Sequence, residues 1–107
     1  MSLIIEFDLI YSLYLMFTTS ARILPSSTSF SDIIFYFMLD GQRIQSPFTR
    51  VGSYEGMSTY EYHSVSLNHY FQAMPPGTYN FTIELISESA GNFIRESSFN
   101  IIGLPNN

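Results

Sequence analysis

From Leu3 to Phe17 every second residue is apolar or aromatic: Leu3, Ile5, Phe7, Leu9, Tyr11, Leu13, Leu15 and Phe17. The positions between them include Glu6, Asp8, Ser12 and Thr18. Successive side chains of a strand leave opposite faces of its sheet, so a period of two marks a strand with one buried face. The run predicts one long strand or two bent ones. The alternation returns at Tyr79, Phe81, Ile83 and Leu85, set off by Asn80, Thr82 and Glu84. A last strand is predicted over 93–102, with Phe93, Phe99 and Ile101 inward and Glu96, Ser98 and Asn100 outward.

The punctuation between these runs is also of β type. Leu24-Pro25-Ser26-Ser27-Thr28-Ser29 reads as a loop, and so do residues 52–58 and the polar stretch from Ser87 to Asn92. Asp40-Gly41 directly follows the apolar run Ile33–Leu39, a strong hairpin signal because glycine tolerates positive φ. The return strand starts near Gln42, and Pro47 confines it to an edge or to a short length. Tyr60 and Tyr62 share one parity while Val65 and Leu67 share the other, which predicts a bulge or bend near His63. Met74-Pro75-Pro76-Gly77-Thr78 reads as a rigid turn. No stretch sustains a 3.6-residue period. The expectation is an all-β chain: an antiparallel two-layer β-sandwich, jelly-roll-like, forming one domain over residues 1–107. Its expected core is Phe7, Leu9, Leu13, Phe35, Phe37, Tyr79, Phe81, Ile83, Phe99 and Ile101.

One run is too apolar for this scheme. Ile33, Phe35, Phe37 and Leu39 take one face of their strand, and Ile34, Tyr36 and Met38 take the other. The outer face of a two-layer sandwich is ordinarily polar. Tyr14 and Met16, on the even face of the first run, add to the surplus. A loop of the same chain would cover such a face, or another subunit would. The preferred expectation is an oligomer interface formed by Tyr14, Met16, Ile34, Tyr36 and Met38 in a symmetric homo-oligomer.

Composition narrows the partners. The chain has 107 residues, with nine acidic residues against four basic ones, all arginine, for a formal charge of −5. That balance argues against nucleic-acid binding, which needs a basic footprint. No cysteine is present, so there is no disulfide framework and no thiolate chemistry. Glu6 and Asp8 interrupt the first 24 residues, which are therefore expected to be neither a secretory leader nor a membrane-inserting segment.

Candidate chemistry is sparse. His63 and His69 lie near Glu55 and Glu61, and Glu61 and His63 would share a strand face, so a metal site can be drawn. Polar residues beside a loop are the simpler reading. No G-x-S-x-G elbow, phosphate loop or dinucleotide fingerprint occurs. Asp40 fits turn chemistry, and Asp32 at the other end of its strand leaves a calcium loop open. Asn80-Phe81-Thr82 is a glycosylation sequon on a solvent-facing parity, and an unmodified Asn80 is the favoured reading. The expectation is a protein with no catalytic residues, no cofactor and no metal. Tyr54, Tyr60 and Tyr62 form a candidate ligand surface suited to stacking on sugar rings, although the chain lacks tryptophan.

Pro76-Gly77-Thr78-Tyr79-Asn80-Phe81-Thr82 resembles the P-G-x-Y-x-F-x strand of trimeric jelly rolls of the tumour necrosis factor and complement globular-head type. Leu39-Asp40-Gly41, Ser64-Val65-Ser66-Leu67 and Phe99-Asn100-Ile101-Ile102 also resemble stretches of viral and phage fibre heads with that fold. Complement-type heads carry much more chain after the P-G-x-Y-x-F strand than the 25 residues found here. The resemblance implies a trimer, a structural or attachment role with a host receptor or glycan as partner, and a place on a virion or extracellular surface. A carbohydrate- or ligand-binding module of a cell-surface protein is the alternative.

Overall fold

The described residues form seven strands: β1 (Ser2–Phe7), β2 (Tyr11–Ile23), β3 (Ser31–Leu39), β4 (Gln42–Ser53), β5 (Glu61–Met74), β6 (Gly77–Ser87) and β7 (Phe93–Pro105). The computed structural model describes residues 1–24, 31–53, 60–87 and 91–106. A four-stranded sheet runs β1-β6-β3-β4 and a three-stranded sheet runs β5-β2-β7, with every neighbouring pair antiparallel. The two layers pack face to face as a β-sandwich 54 Å long and 21 by 18 Å across. Among the described strands only the β3–β4 hairpin joins neighbours of one sheet, and every other consecutive pair lies in different sheets. That winding is a jelly roll's, in which sheets are built by strands that alternate between layers.

The expected alternation produces the core. Leu13, Leu15, Phe17, Phe35, Phe37 and Phe81 are each at most 2% exposed. Aromatic pairs tie the layers together: Phe17 with Phe35 at 5.9 Å, Phe37 with Phe99 at 5.8 Å, and Phe71 with Phe81 at 5.9 Å between ring centroids. Phe7, Tyr79, Ile83 and Ile101 are half-buried around this centre. The hairpin at Asp40-Gly41 has φ of 50° and 81°, as a two-residue turn with positive φ at both centres requires. The Asp40 side chain accepts a hydrogen bond from the Asn80 amide at 2.8 Å, which ties the turn to β6.

Three expectations are corrected. Leu9 is 54% exposed, not core, because Asp8–Ile10 is where the chain leaves the four-stranded sheet for the three-stranded one. Phe93 is 38% exposed and faces out. A bulge at Glu96 (φ 57°) reverses parity, so Ile94 points inward before it and Phe99 and Ile101 after it. The Thr19 hydroxyl fills that bulge, donating to Arg95 O at 3.1 Å and lying 2.7 Å from the Ser97 hydroxyl. Finally, β5 has no bulge near His63. Its register against β2 is unbroken from Glu61 to Phe71, and the irregularity falls near Ala73 (φ 55°). Tyr62 faces out while Val65 and Leu67 face in, so the change of parity reflects an apolar outer face and not a bend. Pro47 does sit on an edge strand, in a stretch of β4 between Arg43 and Phe48 that leaves the ladder. That strand is 12 residues long and not short.

Candidate functional site

The outer face of the β5-β2-β7 sheet can be read row by row from its register. At one end Tyr62, Arg22 and Phe93 lie side by side. The Arg22 guanidinium sits 3.8 Å from the Phe93 ring centroid and 4.2 Å from that of Tyr60. Arg22 Nε is buried without a hydrogen-bond partner, so the π faces of the rings hold the cation there. Tyr60 and Tyr62 are 43% and 60% exposed. Two of the three tyrosines of the expected ligand surface thus meet in one cluster, and Tyr54 lies outside the described residues.

Apart from Met16 and Arg95, the middle of this face is small and polar. Ser66, Thr18 and Ser98 form one row, and Asn68, Met16 and Asn100 form the next. Asn68 donates to the Ser66 hydroxyl at 3.2 Å and Asn100 to the Ser98 hydroxyl at 2.8 Å. The far end turns apolar again. Tyr70, Tyr14 and Ile102 share a row, the two tyrosine rings lie 4.5 Å apart, and Leu104 follows on β7. These four side chains are 44–53% exposed. A shallow groove runs along Tyr14, Met16, Asn68 and Tyr70.

The five residues expected to form one interface are split between two outer faces. Tyr14 and Met16 belong to the three-stranded sheet, while Ile34, Tyr36 and Met38 are half-buried on the outside of the four-stranded one. Side chains of flanking strands cover the latter group in part. The Tyr36 ring packs against Phe48 at 5.6 Å, and the Arg43 guanidinium lies 4.3 Å from its centroid. Arg43 also pairs with Glu84 at 2.6 Å, and that hydrogen bond raises its pKa. Phe48 and Ile4 are 54% and 71% exposed on the same sheet.

Among the described residues the titratable groups are spread over several places. Glu61 and His63 share the inward parity of β5, and Glu61 Oε2 and His63 Nε2 are buried without hydrogen-bond partners. Glu55 lies outside the described residues. His69 packs edge-on against Phe71 at 4.5 Å, and burial lowers its imidazole pKa. Among the described residues no group of three or more His, Cys, Asp or Glu side chains is placed to hold a metal ion. Asp32 is fully buried and accepts a hydrogen bond from Arg50 Nε, while its Oδ1 has no partner. Asn80 is exposed on the outer face of β6. Among the described residues no helix is long and apolar enough to cross a membrane.

No protein-family model, no curated protein and no solved structure matches the chain. The likeness to trimeric heads therefore rests on short motifs alone. Sequence reasoning missed Arg22, Phe93, Tyr70, Ile102 and Leu104. For one of them a signal was present: Ile101 and Ile102 are adjacent, so on a strand one of the two must face outward.

Proposed function

We propose that the chain is a non-enzymatic structural or attachment module that works as a homo-oligomer. The observation that supports this reading is the exposed row Tyr70–Tyr14–Ile102 with Leu104 beside it, at one end of the outer face of the three-stranded sheet. Fully burying one large apolar side chain contributes about 1.5–3 kcal/mol. The four side chains here are about half exposed, so completing their burial contributes about half of that each and offsets part of the cost of association. A trimer, and a role as a fibre or virion component that meets a receptor, are the finer form of the reading and come from the jelly-roll resemblance. Sedimentation at tens of micromolar tests it. The wild type is expected to sediment as an oligomer and Tyr14→Asp as a smaller species, because the substitution puts an unpaired charge into the contact. A wild-type monomer refutes the reading. The double variant Tyr36→Asp with Met38→Asp asks the same question of the opposite face.

The second reading is a ligand-binding module, favoured by the Arg22, Tyr60, Tyr62 and Phe93 cluster. Exposed rings beside a cation suit a sugar ring. A glycan array on which the wild type binds and Tyr62→Ala does not would support it.

A further inference from the structure

The two flanks of the sandwich are unlike. On one flank β4 and β5 close against each other: Thr49 Oγ1 donates to Ser66 O at 3.2 Å, and Val65 and Leu67 on the edge strand β5 are 3% and 2% exposed. On the other flank the four-stranded layer continues through β6 to β1, while the three-stranded layer stops at β7. Inward-pointing side chains there stay half-covered: Leu3 and Ile5 of β1, Ile83 of β6 and Ile101 of β7. Leu85 has the inward parity of Phe81 and is nonetheless 40% exposed.

The winding of the chain says what is missing. A jelly roll of eight strands has four in each layer. With the seven described strands wound this way, the lane left empty among the described residues lies beside β7. That strand is 13 residues long and, among the described residues, pairs on one side only, with β2. Its other side presents unpaired backbone N–H and C=O groups, a template for another strand.

We propose that this lane binds an extended segment of a partner polypeptide, taken up as an eighth strand along β7. The lane suits one strand and not a second folded copy. A second copy's β7 would bring its own four-stranded layer with it, into the space where β6 and β1 already project. The occupant runs antiparallel to β7, as every neighbouring pair in both sheets does. Its inward side chains are apolar at every second position, because they meet Leu3, Ile5, Ile83, Leu85 and Ile101. Its outward side chains are polar. This site goes beyond the self-association proposed above, which uses the outer face of the sheet and not its edge.

A random dodecapeptide phage library panned on the full chain tests the assignment. Enriched peptides should carry apolar residues at i, i+2 and i+4, and a synthetic peptide of the enriched sequence should bind saturably. N-methylation of that peptide at alternate positions, on the side that meets β7, should weaken binding at least tenfold. N-methylation at the intervening positions should leave it nearly unchanged. Leu85→Glu and Ile5→Glu should each weaken binding at least tenfold with circular dichroism unaltered; should either variant fail to fold, the N-methyl series on the wild type carries the test. Failure to enrich alternating peptides, or binding indifferent to N-methylation, overturns the proposal. So does loss of peptide binding as the chain's own concentration rises, which would give the lane to a second copy.

Discussion

Phe81 and Leu9 occupy equivalent places in the hydrophobic alternation, yet the folded chain treats them oppositely. Phe81 is 0% exposed, packs on Phe71 and Tyr79, and pairs across the sheet with Leu3 and Leu39. Leu9 is 54% exposed on the crossing between the sheets. Truncating Phe81 to alanine removes a fully buried ring and leaves a cavity, and the two effects together cost about 3–5 kcal/mol. That is a large share of a small domain's total stability of about 5–15 kcal/mol. At about 4–8 °C per kcal/mol, the melting temperature should fall by more than 10 °C. Leu9→Ala should stay within about 0.5 kcal/mol of the wild type, as exposed positions do.

Urea denaturation followed by tyrosine fluorescence and far-ultraviolet circular dichroism reads both variants. The midpoint should move for Phe81→Ala with the slope unchanged, which marks a change in stability and not in the unfolded state. Phe81→Leu, which leaves a smaller cavity, should move it in the same direction by less and keeps the comparison open if the alanine variant does not fold. Equal losses at the two positions would refute the reasoning. They would mean that Leu9 is covered in solution, and the crossing between sheets would have to be redrawn.

Other expectations follow from single contacts. Arg50→Gln should cost about 3 kcal/mol in chemical denaturation, the lower end of the range for breaking a buried pair, because Asp32 is fully buried while Arg50 stays half exposed. A loss below about 0.5 kcal/mol would show that the buried carboxylate does not depend on this cation. Gly41→Ala should cost about 1 kcal/mol or more. A Cβ there meets nothing within 4 Å, so the penalty is that of the turn's φ of 81° alone. Burial lowers the pKa of His69 in the folded chain from its usual 6.5, so the unfolded chain binds the proton first as pH falls. The stability tied to the neutral imidazole is complete above the unfolded pKa and declines below it. A melting temperature that falls from pH 7 to pH 5.5 in the wild type, and falls less in His69→Gln, is the expected result; parallel profiles would contradict it.

What the sequence discloses is local. Strand positions, the Asp40-Gly41 turn and the edge placement of Pro47 follow from period and backbone chemistry within a few residues. What it hides depends on partners far along the chain. The parity reversal in β7 comes from a bulge at Glu96, a residue with no local mark of positive φ, and the hydroxyl that fills it belongs to Thr19, 76 residues before Arg95. Phe93 was misplaced for that reason. Leu9 keeps perfect alternation through a point where the chain changes sheets, and alternation carries no information about which sheet a strand joins. The surplus of apolar residues was legible, but its division was not. Only the sheet order puts Tyr14 with Tyr70 and Ile102 and sends Tyr36 to the opposite side.

The two proposed readings use opposite ends of the outer face of the β5-β2-β7 sheet and do not conflict. Its centre is mostly self-sufficient: Asn68 and Asn100 spend donors on Ser66 and Ser98. The ends are not. Tyr14 and Arg22 are eight residues apart on β2, about 27 Å at roughly 3.4 Å per residue. Substitutions farther apart than about 7–10 Å with no shared contacts act independently. Tyr14→Asp should therefore alter assembly and leave the Arg22, Tyr60, Tyr62 and Phe93 cluster as it is, and Tyr62→Ala should do the reverse. On the two proposed readings, self-association at one end and ligand capture at the other are thus separable. A variant at either end that changed both would show that the ligand site forms only between subunits.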